Sequence, residues 1–475
     1  MDTKQFCSSV KYAAENTYRN FYARKNKISD YNSENLLKTA KVTATENNEA
    51  MQKMLLGCKI WTAKNTGAAV EIEFIDSIFI NTIIFKEKSD CVKKFSIYYH
   101  DKSKYRLLYT QDRIDSFRLC SFEDTKASKI KIVFDDFNGT VKVSDIGVYY
   151  FKEYNRTNFK VTSYLNSAIV ENTAKTQIQT YADDKSYTDR FGILTDSIII
   201  GAVKINTDAS ITASAGINNL KKDVEILKKI NPSMKVRCTL MTGLVDDNFN
   251  ANKKAIVKLV KNHLECYKKN LKKFIEETDI DGIDFDWEYP QLPHEWNAYG
   301  RLLIATKEVL KGADLSVALW PYGVNLSKEA RACIDNVNIM AYDQFDNRGD
   351  HSSIYKCGQK SIDYFLSLGF SKQQLCYGIP FYGRTADKYN IWPPYDTEYG
   401  KWDNFRKNFT YYSDDNKKRT STVFLNSYAM VRDKTALALY NNLGGIMIFS
   451  STADIPYNNT YALHKAVDEI LKQRR

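Results

Sequence analysis

Polar and apolar side chains alternate along several short segments between residues 65 and 151. The segments Val70–Phe74, Phe95–Tyr99, Ile130–Phe134 and Ile146–Tyr150 each place apolar residues two positions apart. Successive side chains of a strand point to opposite faces, so this spacing predicts strands that are buried on one face. Several such strands joined by turns are typical of an antiparallel sandwich. We therefore predict an all-β sandwich in this part of the chain.

From Phe159 onward, short apolar segments are separated by longer amphipathic ones. The eight segments that we predict to be strands are Val161–Leu165, Ser197–Val203, Val236–Met241, Gly282–Glu288, Leu315–Trp320, Val337–Tyr342, Leu375–Phe381 and Gly445–Ser450. Between the third and fourth, apolar residues from Ile256 to Phe274 keep helical spacing. Eight strands that alternate with helices over roughly 300 residues predict an α/β fold, the (β/α)8 TIM barrel. The active site of such a barrel lies at the carboxyl ends of its strands.

A chain of 475 residues has room for two to three domains of about 150 residues each. We assign residues 1–30 to a leader segment without a motif, 31–152 to the sandwich and 159–475 to the barrel. The polar stretch Lys152–Asn158 is the predicted linker. All eight prolines lie at or after Pro232, which supports a division into two architectures.

Charge and hydropathy narrow the choice of partners and compartment. The 68 Lys and Arg residues exceed the 57 Asp and Glu residues, giving a net charge of +11, but the excess is spread over lysine-rich surface segments. We therefore expect no nucleic-acid partner. No apolar run approaches the roughly 20 residues of a membrane span, and Met1–Phe6 open no signal peptide. We expect an intracellular or spore-associated protein, or an extracellular one if a leader was removed.

Cysteines and histidines indicate no metal site. The nine cysteines are an odd number without any Cys-x-x-Cys spacing, so we expect reduced structural thiols rather than disulfides or a zinc cluster. The five histidines are scattered, which leaves a histidine base unsupported. We expect neither a metal nor a cofactor.

The segment from Asp281 to Pro290 carries the candidate chemistry. On a strand, Asp284, Asp286 and Glu288 share one face, within about 7 Å of each other at about 3.3 Å per residue. Crowded carboxyls push their pKa values apart, so that one stays protonated near neutral pH while another stays ionised. Glu288, nearest the carboxyl end of the strand, is the expected proton donor. The alternatives are a structural acid cluster or a divalent-metal site.

This segment resembles the signature of glycoside hydrolase family 18, which includes chitinases and endo-β-N-acetylglucosaminidases. Three further segments agree with the family in order and position. They are Met340–Asp343, Gly378–Arg384 and Gly444–Phe449. The resemblance covers about residues 159–475.

The resemblance implies a retaining mechanism assisted by the substrate, an exception to the usual scheme of two catalytic carboxylates. Glu288 would protonate the glycosidic oxygen that follows an N-acetylglucosamine unit, and the 2-acetamido carbonyl of that sugar would attack the anomeric carbon. Asp286 would stabilise the resulting oxazolinium ion, with Asp284 sharing a proton behind it. The implied substrate-binding residues are Tyr342, Asp343, Tyr382, Arg384, Phe449 and Tyr164.

Two departures from the family pattern concern this site. Phe449 stands where the family usually has a tryptophan under the sugar, and a phenyl ring offers a smaller stacking face. The third strand, Cys238–Gly243, lacks the family's Ser-x-Gly-Gly. The segment between Arg384 and Gly444 is short and rich in aromatic residues, among them Trp392, Tyr395 and Trp402.

Residues 31–151 resemble a discoidin domain, also called the coagulation-factor type C domain. The resemblance depends on Trp61, on the strands described above and on the closing Val143–Tyr149. It implies a module that binds glycans and raises the local concentration of the barrel on a polymer.

Three functions remain open on the sequence. The favoured one is hydrolysis of β-1,4 bonds in chitin or chitooligosaccharides. The second keeps the mechanism but cleaves N-glycan cores or peptidoglycan. The third is a chitinase-like lectin that binds without cleaving, which the presence of Glu288 disfavours.

Overall fold

The computed structural model describes residues 34–151, 158–242, 249–344, 354–385, 387, 392–395, 406–412 and 416–473. The predicted leader, most of the linker, Trp402 and Cys7 lie outside these residues.

The described residues up to 151 form an all-β region with one short helix. Its strands are β1 Lys41–Ala44, β2 Trp61–Ala63, β3 Ala69–Glu87, β4 Val92–His100, β5 Tyr105–Gln111, β6 Arg118–Phe137 and β7 Val141–Tyr149, and its helix is α1 Asn48–Leu55. The strands pair antiparallel in the order β2-β7-β3-β6-β4-β5, with β1 on β3. Val70 and Ile72 are buried, while Glu73 on the other face pairs with Lys129 at 2.9 Å. The alternation therefore separates a core face from a charged face.

The rest of the described chain contains twelve strands. They are β8 Lys160–Asn166, β9 Asp196–Ile205, β10 Ile211–Ala213, β11 Lys235–Thr242, β12 Gly282–Phe285, β13 Asp314–Leu319, β14 Asn336–Ile339, β15 Leu375–Pro380, β16 Arg384–Thr385, β17 Arg406–Tyr412, β18 Lys418–Phe424 and β19 Gly445–Phe449. Eight of them are parallel and close on themselves in the order β8-β9-β11-β12-β13-β14-β15-β19. The predicted eight-stranded parallel barrel is confirmed. A small antiparallel sheet of β16, β18 and β17 lies in the segment between β15 and β19.

Helices follow most barrel strands. They are α2 Gln177–Tyr181, α3 Lys185–Phe191, α4 Ile217–Ile230, α5 Phe249–Asn262, α6 Leu264–Thr278, α7 Pro293–Leu310, α8 Lys328–Cys333, α9 Lys360–Ser367, α10 Tyr428–Tyr440 and α11 Leu463–Gln473. None of these, nor any other helix in the described ranges, is both long and apolar enough to cross a membrane.

Two predicted elements differ in extent. The fourth barrel strand was predicted to run to Glu288, but its ladder ends at Phe285, so the two outer acids follow the strand rather than lie within it. The helical pattern from Ile256 to Phe274 is divided between α5 and α6 at His263, whose ψ of 17° departs from helical geometry. His263 joins the two helices, since its amide donates to the Leu259 carbonyl at 2.8 Å and its carbonyl accepts from the Tyr267 amide at 2.9 Å.

The β region and the barrel share a buried interface along α10. Asp433 on this helix accepts hydrogen bonds from the Arg118 guanidinium at 3.1 Å, the Ser121 amide at 2.7 Å and the Tyr109 hydroxyl. The side chains of Arg118 and Asp433 are 1% and 0% exposed. A buried carboxylate is costly unless it is paired and hydrogen-bonded, and these three donors belong to the β region.

Candidate active site

The segment that begins with β12 sends its apolar and acidic side chains in opposite directions. Phe285 and Trp287 pack outward on Tyr299 of α7, with ring centroids 6.2 and 5.2 Å apart. Asp284 points into the barrel, where its hydrogen-bond partners come from other strands. The predicted division of this segment into an outer apolar face and an inner acidic face therefore agrees with the structure.

Asp284 is fully buried and is held by four donors from four strands. The Tyr164 hydroxyl donates to Oδ2 at 3.1 Å and the Thr239 hydroxyl at 3.0 Å. The Ser316 hydroxyl and the Asn338 amide donate to Oδ1, the amide at 3.4 Å. Thr239 and Ser316 flank Asp284 because they occupy the same level of β11 and β13. Thr239 thus supports the acid even though its strand lacks the Ser-x-Gly-Gly of the family.

The three acids differ in burial along the segment. Asp284 is fully buried, Asp286 is half-buried and Glu288 is exposed to solvent. Burial raises the pKa of Asp284, although its donors and the nearby Arg237 oppose this rise. Burial, together with the charges of Glu288 and Asp284, raises the pKa of Asp286 well above its ordinary value.

Glu288 is accessible but is surrounded by other groups of the site. The surrounding protein raises its pKa, and the charge of Asp343 raises it further. This shift favours the protonated form that a general acid requires. The segment therefore places two acids with raised pKa values next to each other, and the outer one faces solvent.

Four aromatic rings surround the space next to these acids. Phe449 at the end of β19 has ring centroids 5.6 Å from Tyr164, 6.1 Å from Tyr342 and 6.1 Å from Tyr382. Phe449 is half-buried and so keeps part of its ring accessible. These four predicted residues come together although they lie on four different strands or strand ends.

Asp343 and Arg384 form an ion pair with each other. The Arg384 guanidinium also lies 4.7 Å from the ring centroid of Trp392, which stacks on Tyr382 at 5.4 Å with an interplanar angle of 17°. Trp392 is 49% exposed, so one face of this stack is open to a ligand.

A further cavity of about 290 Å³ adjoins Glu288. Tyr289, the residue after Glu288, lines this cavity and packs on Trp320 at a ring-centroid distance of 5.9 Å. The ring centroid of Trp320 lies 6.3 Å from that of Tyr322. The cavity is lined by Trp287, Tyr289, Pro290, Gln291, Trp296, Leu319, Trp320, Tyr322 and Gly323. This lining carries no charged side chain.

A layer of charged side chains lies two residues below the level of Asp284, toward the amino ends of the strands. Arg237, two residues before Thr239 on β11, is fully buried with Nη2 3.2 Å from Asp196 Oδ1. Lys160 on β8 lies 3.5 Å from Asp314 and donates to Asn336 at 2.7 Å. The interior of the barrel is therefore packed with paired charges beneath the site.

The described residues contain no group of three or more His, Cys, Asp or Glu side chains arranged to hold a metal ion. The eight cysteines among them are all free thiols.

Residues 148–454 match the family model described as Glycosyl hydrolases family 18. The chain belongs to this family. Membership of family 18 places the chain among the glycoside hydrolases.

Curated relatives of this family 18 chain include chitinases of insects and fungi. Probable chitinase 2 of Drosophila melanogaster is 29% identical over 189 residues, covering 34% of this chain and 36% of that protein. Chitinase 1 of Aphanocladium album is 26% identical over 278 residues, covering 49% of this chain and 64% of that protein. The chain thus spans only part of the length of either relative.

Solved structures share the barrel fold. The GH18 chitinase ChiB of Flavobacterium johnsoniae superposes with a TM-score of 0.51 at 18% identity, over 67% of this chain and 94% of that chain. The GH18 chitinase of Cycas revoluta in complex with (GlcNAc)3 gives a TM-score of 0.52 at 15% identity, over 66% and 99%. At these identities the likeness supports the fold alone.

Several residues of the site were missed by the sequence reasoning. Thr239, Ser316 and Asn338 are polar residues that each stand between two apolar neighbours on a buried strand, and that exception to the pattern is the signal that could have found them. Trp392 and Trp320 give no such signal, because aromatic residues are common throughout this chain.

Proposed function

We propose that this family 18 chain hydrolyses β-1,4 bonds that follow N-acetylglucosamine units, with chitin or chitooligosaccharides as substrate. The observation that carries the proposal is the graded burial of Asp284, Asp286 and Glu288, since the outermost acid is the most exposed of the three and its pKa is raised. A carboxyl with a raised pKa at the open end of a barrel is suited to act as a proton donor.

In the first step, Glu288 protonates the glycosidic oxygen and the leaving sugar departs. The 2-acetamido carbonyl oxygen of the bound sugar forms the new bond to the anomeric carbon, which gives an oxazolinium ion. Asp286 orients the acetamido N–H and stabilises the positive charge that develops on it. In the second step, Glu288 accepts a proton from water, which opens the oxazolinium ring with net retention.

The surrounding residues bind the sugar. Phe449 forms the floor of the sugar site through apolar contact, and its half-buried ring supports this role. The Tyr342 hydroxyl donates to the acetamido oxygen, while Asp343 and Tyr382 bind sugar hydroxyls. Arg384 lines the leaving-group side, held by its ion pair with Asp343.

Tyr164 acts on the inner acid rather than on the sugar. Its hydroxyl donates to Asp284 and accepts from the Asn338 amide at 3.2 Å. Asp284 in turn shares the proton of Asp286 while the outer acid reacts.

An uncharged polysaccharide fits the neutral lining of the cavity beside Glu288 better than peptidoglycan does. The muramyl units of peptidoglycan carry carboxylates, and burying a carboxylate without a partner is unfavourable. The chitinase names of the relatives point in the same direction.

The test is release of reducing sugar from chitotetraose by the full chain, and its loss in Glu288→Gln. Glu308→Gln is the matched control, because the Glu308 carboxylate lies on the outer surface and is 56% exposed. Chitin oligomers, a high-mannose glycopeptide and muropeptides assayed side by side distinguish the three enzymatic substrates. A Glu288→Gln protein with full activity would falsify the acid assignment, and binding of chitotetraose without any turnover would favour the lectin.

We also propose that the β region is a discoidin-like sandwich that binds the insoluble polymer. Leu56 and Ile60 in the loop between α1 and β2 are 50% and 43% exposed, and exposed apolar side chains in one loop suit contact with a sugar surface. Replacing both by serine should weaken binding to insoluble chitin and leave turnover of chitotetraose unchanged. Leu107→Ser is the matched control at a site 56% exposed on β5. Unchanged chitin binding in the double variant would refute the assignment of this loop.

A further inference from the structure

A serine, a histidine and an aspartate form a hydrogen-bonded network just beyond β19. His464 at the start of α11 places Nδ1 2.6 Å from Asp454 Oδ2 and Nε2 2.8 Å from Ser451 Oγ. The backbone amides of Ile455 and Leu463 donate to the other oxygen of Asp454, at 2.8 and 2.9 Å. These distances match those of a Ser-His-Asp hydrolytic triad.

This hydrogen-bonded network is nevertheless buried, so no substrate can reach it. Ser451 and His464 are fully buried and Asp454 is 6% exposed. The Phe381 ring packs edge-on against the imidazole with centroids 5.0 Å apart. A nucleophile needs space for a carbonyl group beside it, so this arrangement serves another purpose.

The Ser451 end of this network lies at the seam, where β19 pairs with β8 and closes the barrel. Ser451 Oγ lies 2.7 Å from Ser163 Oγ on β8, and the Ser451 amide donates to the same oxygen at 3.1 Å. The ladder between β19 and β8 ends at the pair Ile448 and Ser163. The contacts between the two serines therefore join Ser163 of the last ladder pair to the turn that follows β19, three residues beyond Ile448.

The residues next to this seam are those of the proposed sugar site. Phe449 follows Ile448 directly and precedes Ser451 by two positions, and Tyr164 follows Ser163. The Phe449 and Tyr164 rings contact each other at 5.6 Å without any ladder bond between their strands at this level.

We propose that Asp454, His464, Ser451 and Ser163 form a positioning relay that fixes Phe449 against Tyr164 at the floor of the sugar site. The proposal depends on the proposed function. Asp454, anchored by backbone amides, orients the imidazole, and the imidazole orients the Ser451 hydroxyl. None of the four residues touches the substrate.

The test compares Ser451→Ala and Ser163→Ala with the wild type on chitotetraose. Each change removes one hydroxyl from the seam, and we expect kcat/KM to fall about tenfold because small displacements of a binding group are costly. The loss should appear in KM with kcat nearly unchanged, since a floor contact acts equally on bound substrate and transition state. The double variant should be no worse than either single variant, as expected for residues of one network.

Ser450→Ala is the matched control. Its hydroxyl lies in the same turn but contacts Thr452 at 2.9 Å rather than the seam. Urea unfolding of each variant separates positioning from stability, because a merely structural role would lower the unfolding midpoint and leave KM unchanged.

Three results would overturn the relay. The first is wild-type KM in both seam variants, the second is an equal rise of KM in Ser450→Ala, and the third is additive losses in the double variant. In each of these cases an active wild type leaves the proposed function standing. A wild type that hydrolyses none of the N-acetylglucosaminides refutes the function and the relay together.

Discussion

Replacing Asp286 with asparagine should stabilise the folded protein at neutral pH while it abolishes turnover. Burial and the charges of Glu288 and Asp284 raise the pKa of Asp286 well above its ordinary value, and its Oδ1 has no hydrogen-bond partner among the described residues. The folded state therefore binds this proton more tightly than the unfolded state, in which the pKa of aspartate is about 3.9. Ionising Asp286 in the folded protein costs free energy that an amide does not require.

The sign and size of the effect follow from proton linkage. Between the unfolded pKa and the raised folded pKa, the folded state carries more protons, so the free energy of unfolding decreases as the pH rises. Each unit of difference between the two pKa values corresponds to about 1.4 kcal/mol. The stabilisation of Asp286→Asn should be fully present above the folded pKa and should vanish below about pH 3.9.

Urea unfolding of the full chain at about pH 7 and about pH 4 measures this difference. Asp279→Asn is the matched control, since the Asp279 side chain is 90% exposed. The reasoning is refuted if Asp286→Asn unfolds at lower urea than the wild type at neutral pH, or if its gain is equal at both pH values. Activity on chitotetraose, measured on the same samples, checks that stability and turnover change in opposite directions.

Two further predictions concern the interface and the general acid. Asp433→Ala should lower the free energy of unfolding by about 3 to 5 kcal/mol, because it leaves the buried Arg118 unpaired; an unchanged urea midpoint would contradict the interface. Asp343→Asn should move the alkaline limb of the kcat/KM profile to lower pH, because the Asp343 charge raises the pKa of Glu288, which must be protonated to act. A limb that stays in place or moves to higher pH would show that Asp343 does not act on the general acid.

Much of the barrel could be predicted because its strands are short, apolar and separated by amphipathic segments. The inward direction of Asp284 could be predicted for the same reason, since a period of two assigns the side chains of a strand to opposite faces. The end of that ladder could not be predicted, because it depends on the pairing of β12 with its neighbours.

Contacts between residues that lie far apart in the chain could not be predicted from the sequence. Thr239 lies beside Asp284 because β11 pairs with β12, whereas Asn338 lies on β14, two strands away in the barrel. No local pattern relates their positions. The pair of Arg118 and Asp433 spans 315 residues, and the residue pattern predicts a linker between two domains but not a buried ion pair across them. The alternation of strand residues predicts a core but not what packs against its outer surface.

The fully buried Arg237 has a consequence for where a proton can reside. Its positive charge acts on Asp284 and favours the ionised form of that carboxyl. Cations paired with acids thus form the closed base of the barrel, and carboxyls form its open rim. The charges around the acids therefore act in opposite directions, since Arg237 opposes protonation of Asp284 whereas the neighbouring carboxylates favour protonation of Asp286.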